Sequence, residues 1–120
     1  MKGVLRVGAK FKEVATHALV TRNRFAALLQ NSFAGVGAGA LTSSRSGKTA
    51  RLTGIDYYAC GTIDVSATVT YGRRGALRGS GTFTGGTGNY NGIKGGFTVG
   101  GSYNTRTGRG LFVLTGEATF

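Results

Sequence analysis

Residues 62–71 read TIDVSATVTY. Ile63, Val65, Ala67, Val69 and Tyr71 alternate without a break with Thr62, Asp64, Ser66, Thr68 and Thr70, a strict period of two. An extended strand puts all five apolar side chains on one face, because successive Cβ atoms point to opposite sides; a helix would scatter them around its axis. Downstream, beyond GRRG at 72–75, Leu77 and Phe83 share a face with Gly79 and Gly81, while Arg78, Ser80, Thr82 and Thr84 take the other. Phe97, Val99 and Tyr103 then alternate with Thr98, Gly100 and Ser102. The closing run LFVLTGEATF places Phe112, Leu114, Ala118 and Phe120 on one side. Four strands separated by turn residues form a meander.

Upstream the pattern is mixed. ALTSSRSGKTARLTG at 40–54 reads as a hairpin, with residues 40–43 and 49–53 paired across a Ser/Arg/Gly/Lys turn. Leu5, Val7, Ala9 and Phe11 alternate with Arg6, Lys10 and Lys12 as a strand would, yet Phe11, Val14, Ala15, Ala18, Phe25 and Leu29 also fall near one stripe at helical spacing. Residues 25–30 hold the best helix formers of the chain, so a short helix near residues 24–31 stands beside the strand reading. The expected fold is all-β: a single domain over residues 1–120, built as a small antiparallel barrel of about eight short strands. Residues 1–35 are its least defined part, with a targeting or peripheral segment as the alternative. An open sheet that completes itself as a homodimer is the competing architecture.

The chain has 120 residues, 23 of them Gly and none Pro. Seventeen of the glycines lie between Gly54 and Gly116, among the alternating strands. Gly costs roughly 0.5–1 kcal/mol relative to Ala in a strand, so this density implies bends, bulges or close approach of the backbones, as a strongly curved small barrel requires. Phe83, Tyr90, Phe97 and Tyr103 recur near those glycines, and the aromatic rings are expected to fill the volume that the glycines vacate.

The run Gly86-Thr87-Gly88-Asn89-Tyr90-Asn91-Gly92-Ile93-Lys94-Gly95 resembles the G-T-G-x-[YF]-x-G-[AI]-x-G signature of the dirigent and allene-oxide-cyclase-like barrel proteins, including small bacterial members. The similarity covers about the last sixty residues. It implies an eight-stranded antiparallel barrel whose apolar lumen holds a hydrophobic small molecule, or steers or cyclises a reactive one. The plant cyclases of that family use a carboxylate with polar partners deep in the barrel, and no residue of this chain aligns well enough to be assigned that role.

A barrel module of this kind makes Tyr71, Phe83, Tyr90, Phe97, Tyr103 and Phe112 the candidate lining for an apolar small molecule; the competing reading is a solid core of the same six residues and a structural barrel without a ligand. No catalytic constellation is identifiable, so whether the protein is an enzyme is left open. Cys60 is the sole cysteine and His17 the sole histidine, which excludes a disulfide framework and an ordinary protein zinc site. Alternation puts Asp64 and Glu117 outside. GVGAGA at 35–40 fits a dinucleotide pattern but no βαβ unit surrounds it, and SGKT at 46–49 lacks the first glycine of a phosphate loop. No cofactor and no metal are implied.

The formal net charge is +11, which makes a polyanion a candidate partner through long-range attraction. Arg73, Arg74, Arg78, Lys94, Arg106 and Arg109 are the candidate contacts, since a meander brings turn residues to a rim. Such a basic module for nucleic acid or another polyanion is the alternative to the lumen reading. Residues 25–44 carry no charge, but Gln30, Asn31 and Ser32 divide them into two short apolar pieces, so no transmembrane span is expected. A signal-like segment over residues 22–44 would make the protein secreted; without it the chain is cytoplasmic.

Overall fold

The alternating stretch forms β5 (Gly61–Tyr71), with Ile63, Val65, Ala67, Val69 and Tyr71 all buried. The computed structural model describes residues 9–120, so Leu5 and Val7 of the upstream alternation lie outside the described residues. Seven further strands accompany β5: β1 (Ala9–Val20), β2 (Arg24–Asn31), β3 (Gly35–Ser46), β4 (Thr49–Tyr58), β6 (Ala76–Gly86), β7 (Lys94–Tyr103) and β8 (Arg109–Thr119). Each pairs antiparallel with the next, and β8 returns to β1 from Ala9↔Ala118 to Leu19↔Arg109. The sheet is thus a closed eight-stranded barrel. Closure within one chain replaces the open-sheet alternative, because every strand already has two neighbours.

Residues 24–31 are a strand and not a helix. Phe25, Ala27, Leu29 and Asn31 face inward while Leu28 and Gln30 are exposed, and all eight residues pair with β3, from Arg24↔Thr42 to Asn31↔Gly35. Pairing on both sides outweighs the helix propensity of the segment. The helical spacing in β1 also has a local cause. Phe11, Glu13 and Ala15 point inward, the register slips between Thr16 and Leu19 with His17 at φ 50, and inward positions resume at Ala18 and Val20. A β-bulge shifts the parity by one residue, so 11, 15 and 18 imitate a helical stripe.

Phe112, Val69 and Ile63 are completely enclosed in the barrel core. Gly81 is opposite Phe97 in register, and a Cβ on Gly81 would come within 2.6 Å of the Phe97 ring. Here the ring occupies the space left by the glycine.

The two ends differ. Connections 32–34, 59–60 and 87–93 meet at one end, where a 3₁₀ turn at Gly88–Tyr90 tucks the Tyr90 ring inward. Phe33 packs on Phe11 and Phe120, each at 5.3 Å between ring centres, and Tyr90 lies 5.2 Å from Phe120. This is the aromatic end. Connections 21–23, 47–48, 72–75 and 104–108 form the other, the arginine end, where the Arg45 guanidinium stacks 3.9 Å above the Tyr71 ring. No helix among the described residues is long and apolar enough to cross a membrane.

Candidate functional site: a buried carboxyl pair in the lumen

Two of the four acids of the chain point into the barrel. Glu13 on β1 follows Phe11 and precedes Ala15 on the inward face, and is 4% exposed; Asp56 on β4 shares its face with Leu52 and Tyr58, and is 7% exposed. Both border an interior cavity of about 50 Å³ whose other walls include Leu29, Leu52, Val65, Phe83, Phe97 and Phe112. One water needs roughly 10–15 Å³ of such space, so the lumen admits a group of several atoms.

The polar groups are brought together across β2 and β3. Asn31 is the register partner of Glu13 and donates from Nδ2 to Glu13 Oε1 at 3.0 Å. Its own Oδ1 accepts from the backbone N–H groups of Phe33 at 2.8 Å and Ala34 at 3.1 Å, which fixes the amide orientation. From the far side the Tyr58 hydroxyl also donates to Glu13 Oε1. Tyr58 reaches Glu13 because β3 presents glycines between them. Gly37 pairs with Tyr58 and Gly39 with Asp56; a Cβ on Gly37 would lie 2.5 Å from the Tyr58 ring, and one on Gly39 would lie 2.6 Å from Asp56 Oδ1. The dinucleotide-like run GVGAGA is therefore a strand whose inward glycines clear the space for two side chains of β4.

The two carboxyls differ in their surroundings. Burial raises Glu13 above the ordinary carboxylate range, while the Asn31 and Tyr58 hydrogen bonds pull it back toward ionisation. Asp56 is held well above its ordinary value, first by burial and then by the negative charge of Glu13. Neither Oδ atom of Asp56 has a side-chain hydrogen bond among the described residues. Both carboxyls are raised by burial; Glu13 has two donors on one oxygen, which favours its charged form, whereas Asp56 has no such donor and feels the charge of Glu13. The Tyr58 hydroxyl is driven far above its ordinary value, first by burial and then by Glu13 and Asp56, so it stays a donor.

Of the six aromatic lining candidates, Phe83, Phe97 and Phe112 border the cavity. Tyr90 belongs to the aromatic end, and Tyr71 and Tyr103 pair at 6.3 Å beneath the arginine end. Arg73, Arg74, Arg78, Arg106 and Arg109 all lie at the arginine end, whereas Lys94 starts β7 at the opposite end. Asp64 is half-buried on the outer wall and Glu117 is exposed. Reading by residue type assigned no role to Glu13 or Asp56; extending the period of two through Phe11-x-Glu13-x-Ala15 and Leu52-x-Gly54-x-Asp56-x-Tyr58 places both on inward faces. His17 sits exposed on the β1 bulge and Cys60 in the 59–60 turn of the aromatic end, so the two do not meet. Among the described residues no three or more His, Cys, Asp or Glu side chains converge to hold a metal.

Comparison with protein-family models, curated proteins and solved structures finds no match for this chain.

Proposed function

We propose that the barrel binds a small apolar molecule carrying one carbonyl oxygen, with Asp56 donating its proton to that oxygen. The observation that carries this reading is a carboxyl group 7% exposed, without a hydrogen-bond partner among the described side chains, at the wall of an apolar cavity. An unpartnered buried polar group costs roughly 1–3 kcal/mol, a cost that a ligand oxygen removes. The likeness of residues 86–95 to the dirigent and allene-oxide-cyclase-like signature supports a lumen that serves a small molecule. The pair also suits proton transfer on a β,γ-unsaturated ketone: Asp56 gives its proton to the carbonyl oxygen as Glu13 takes one from the α-carbon, leaving a dienol. Glu13 then returns its proton to the γ-carbon while the enol O–H returns its own to Asp56, so the double bond shifts with no net gain or loss of protons.

Methyl NMR of Leu52, Val65 and Val69 during titration with cyclopentanone, and separately with cyclopentane, tests the binding step. The ketone is expected to bind roughly 2- to 10-fold more tightly, the worth of one hydrogen bond. Asp56→Leu should erase the difference while the hydrocarbon still binds. Lumen methyl signals that respond to neither probe would rule the reading out.

A further inference from the structure

The basic residues are sorted along the barrel, and all of those at the arginine end are exposed. The 21–23 connection and the start of β2 carry Arg22 and Arg24, and the β3–β4 hairpin carries Arg45, Lys48 and Arg51. Around the same end the β5–β6 turn carries Arg73 and Arg74 with Arg78 just beyond, and the β7–β8 turn carries Arg106 with Arg109 at the start of β8. Ten of the thirteen basic side chains in residues 9–120 thus gather here; only Lys10, Lys12 and Lys94 lie toward the other end. All four acids of the chain, Glu13, Asp56, Asp64 and Glu117, lie in the half of the barrel toward the aromatic end. Four hairpins spaced around a closed barrel arrange this charge as a ring, on a molecule about 20 Å in cross-section.

We infer that this ring is a docking surface for the phosphate backbone of a nucleic-acid duplex. It is independent of the lumen proposal, since none of the ten side chains borders the cavity. Nine of the ten are arginines, whose planar forks match phosphate oxygens two at a time. A 20 Å length of duplex carries about 12 phosphates, a charge comparable to that of the ring. Single strands are bound by stacking bases on exposed rings, and this end offers none: Tyr71 is buried, and Tyr103 is half-buried beneath the rim. Membrane surfaces are held by apolar or aromatic wedges as well as by cations. The four connections, TRN, GK, GRRG and NTRTG, contain no apolar side chain, and the exposed apolar residues nearest this end, Leu19 and Leu111, lie on strands β1 and β8 rather than in the turns that carry the cations. Recognition through the backbone alone is sequence-independent.

Fluorescence anisotropy with a 20-base-pair DNA duplex of arbitrary sequence tests the inference in 50 to 200 mM NaCl. Five phosphate contacts give a slope of about −4.5 in log K against log salt, a loss of roughly 500-fold over that range. The triple variant Arg73→Gln, Arg74→Gln, Arg106→Gln should flatten the slope by about 3, whereas Lys10→Gln with Lys12→Gln, at the other end, should change it by less than about 1. Thermal melting of each variant confirms that the barrel is intact. Equal losses from both variants would show that net charge alone is responsible and overturn the site. Tighter binding of a 20-nucleotide single strand, or binding to heparin or to phosphatidylglycerol vesicles without binding to the duplex, would overturn the choice of partner.

Discussion

The two ends of the barrel are made by the same eight strands and have opposite chemistry. At the aromatic end, Phe11, Phe33, Tyr90 and Phe120 close over the interior, and Asn31 and Tyr58 carry hydrogen bonds to a buried carboxylate. At the arginine end, short turns carry cations that stay in water. Gly75 at φ 76, Gly108 at φ 79 and Arg74 at φ 56 supply the left-handed conformations those turns need. Side chains at one end are committed to packing, so substitutions there act on stability and on the lumen. The cations at the other end are exposed, so most substitutions of them act on long-range attraction. A closed sheet lets the two tasks be changed separately.

Phe112→Ala is expected to break both ends together. The ring is completely buried, borders the lumen and packs 5.1 Å from Phe25, so its removal should cost about 3–5 kcal/mol in urea denaturation. Retained stability in this variant would mean that the wall does not couple the ends.

Tyr58→Phe tests the aromatic end alone. Glu13 Oε1 loses one of its two donors in a buried site, and the expected cost is about 1–3 kcal/mol. Duplex binding at the arginine end should be unchanged. An equal loss of duplex affinity in this variant would show that the two ends are not independent.

The fold was more legible in the sequence than the site, for reasons that can be located. In β5 every inward residue is apolar and every outward one polar, so the period of two is unambiguous. In β1 an inward Glu13 interrupts the apolar positions and the bulge at His17 reverses the parity, and both changes make a strand look helical. In β4 the inward face runs Leu52, Gly54, Asp56, Tyr58, where glycine hides the alternation and an acid contradicts it. The rules that find strands assume that polar residues face water. A lumen with a polar group in it violates that assumption at the very residues that form the site.

The pH dependence of stability separates the ends further. The folded value of Asp56 lies well above its ordinary value of 3.8, so the native state binds more protons than the unfolded chain once the pH exceeds about 4. Stability is then fully present below the ordinary value and declines as pH rises toward the folded one, by at most about 1.4 kcal/mol per pH unit for one such group. Denaturation midpoints between pH 4 and 8 should fall accordingly, and Asp56→Asn should flatten the curve. A midpoint that rises with pH would contradict a proton held on this side chain.

The smallest effect belongs to the arginine end, where one cation does pack. Arg45 lies over Tyr71 at 3.9 Å and its Nε donates to the Gly47 carbonyl at 3.0 Å. An exposed cation–π contact contributes about 0.5–1 kcal/mol, so Arg45→Gln should lower stability by about that much, while Arg73→Gln or Arg106→Gln should stay within about 0.5 kcal/mol of the parent. If the ten cations repel one another across the ring, each neutralisation also relieves some of that repulsion. The relief should be greatest in low salt and vanish once the Debye length falls below the spacing of the side chains. Arg73→Gln is therefore expected to be slightly stabilising in thermal melts at 10 mM NaCl and neutral at 500 mM. The Arg45 substitution keeps its cost at both salt concentrations, because its contact is short-ranged.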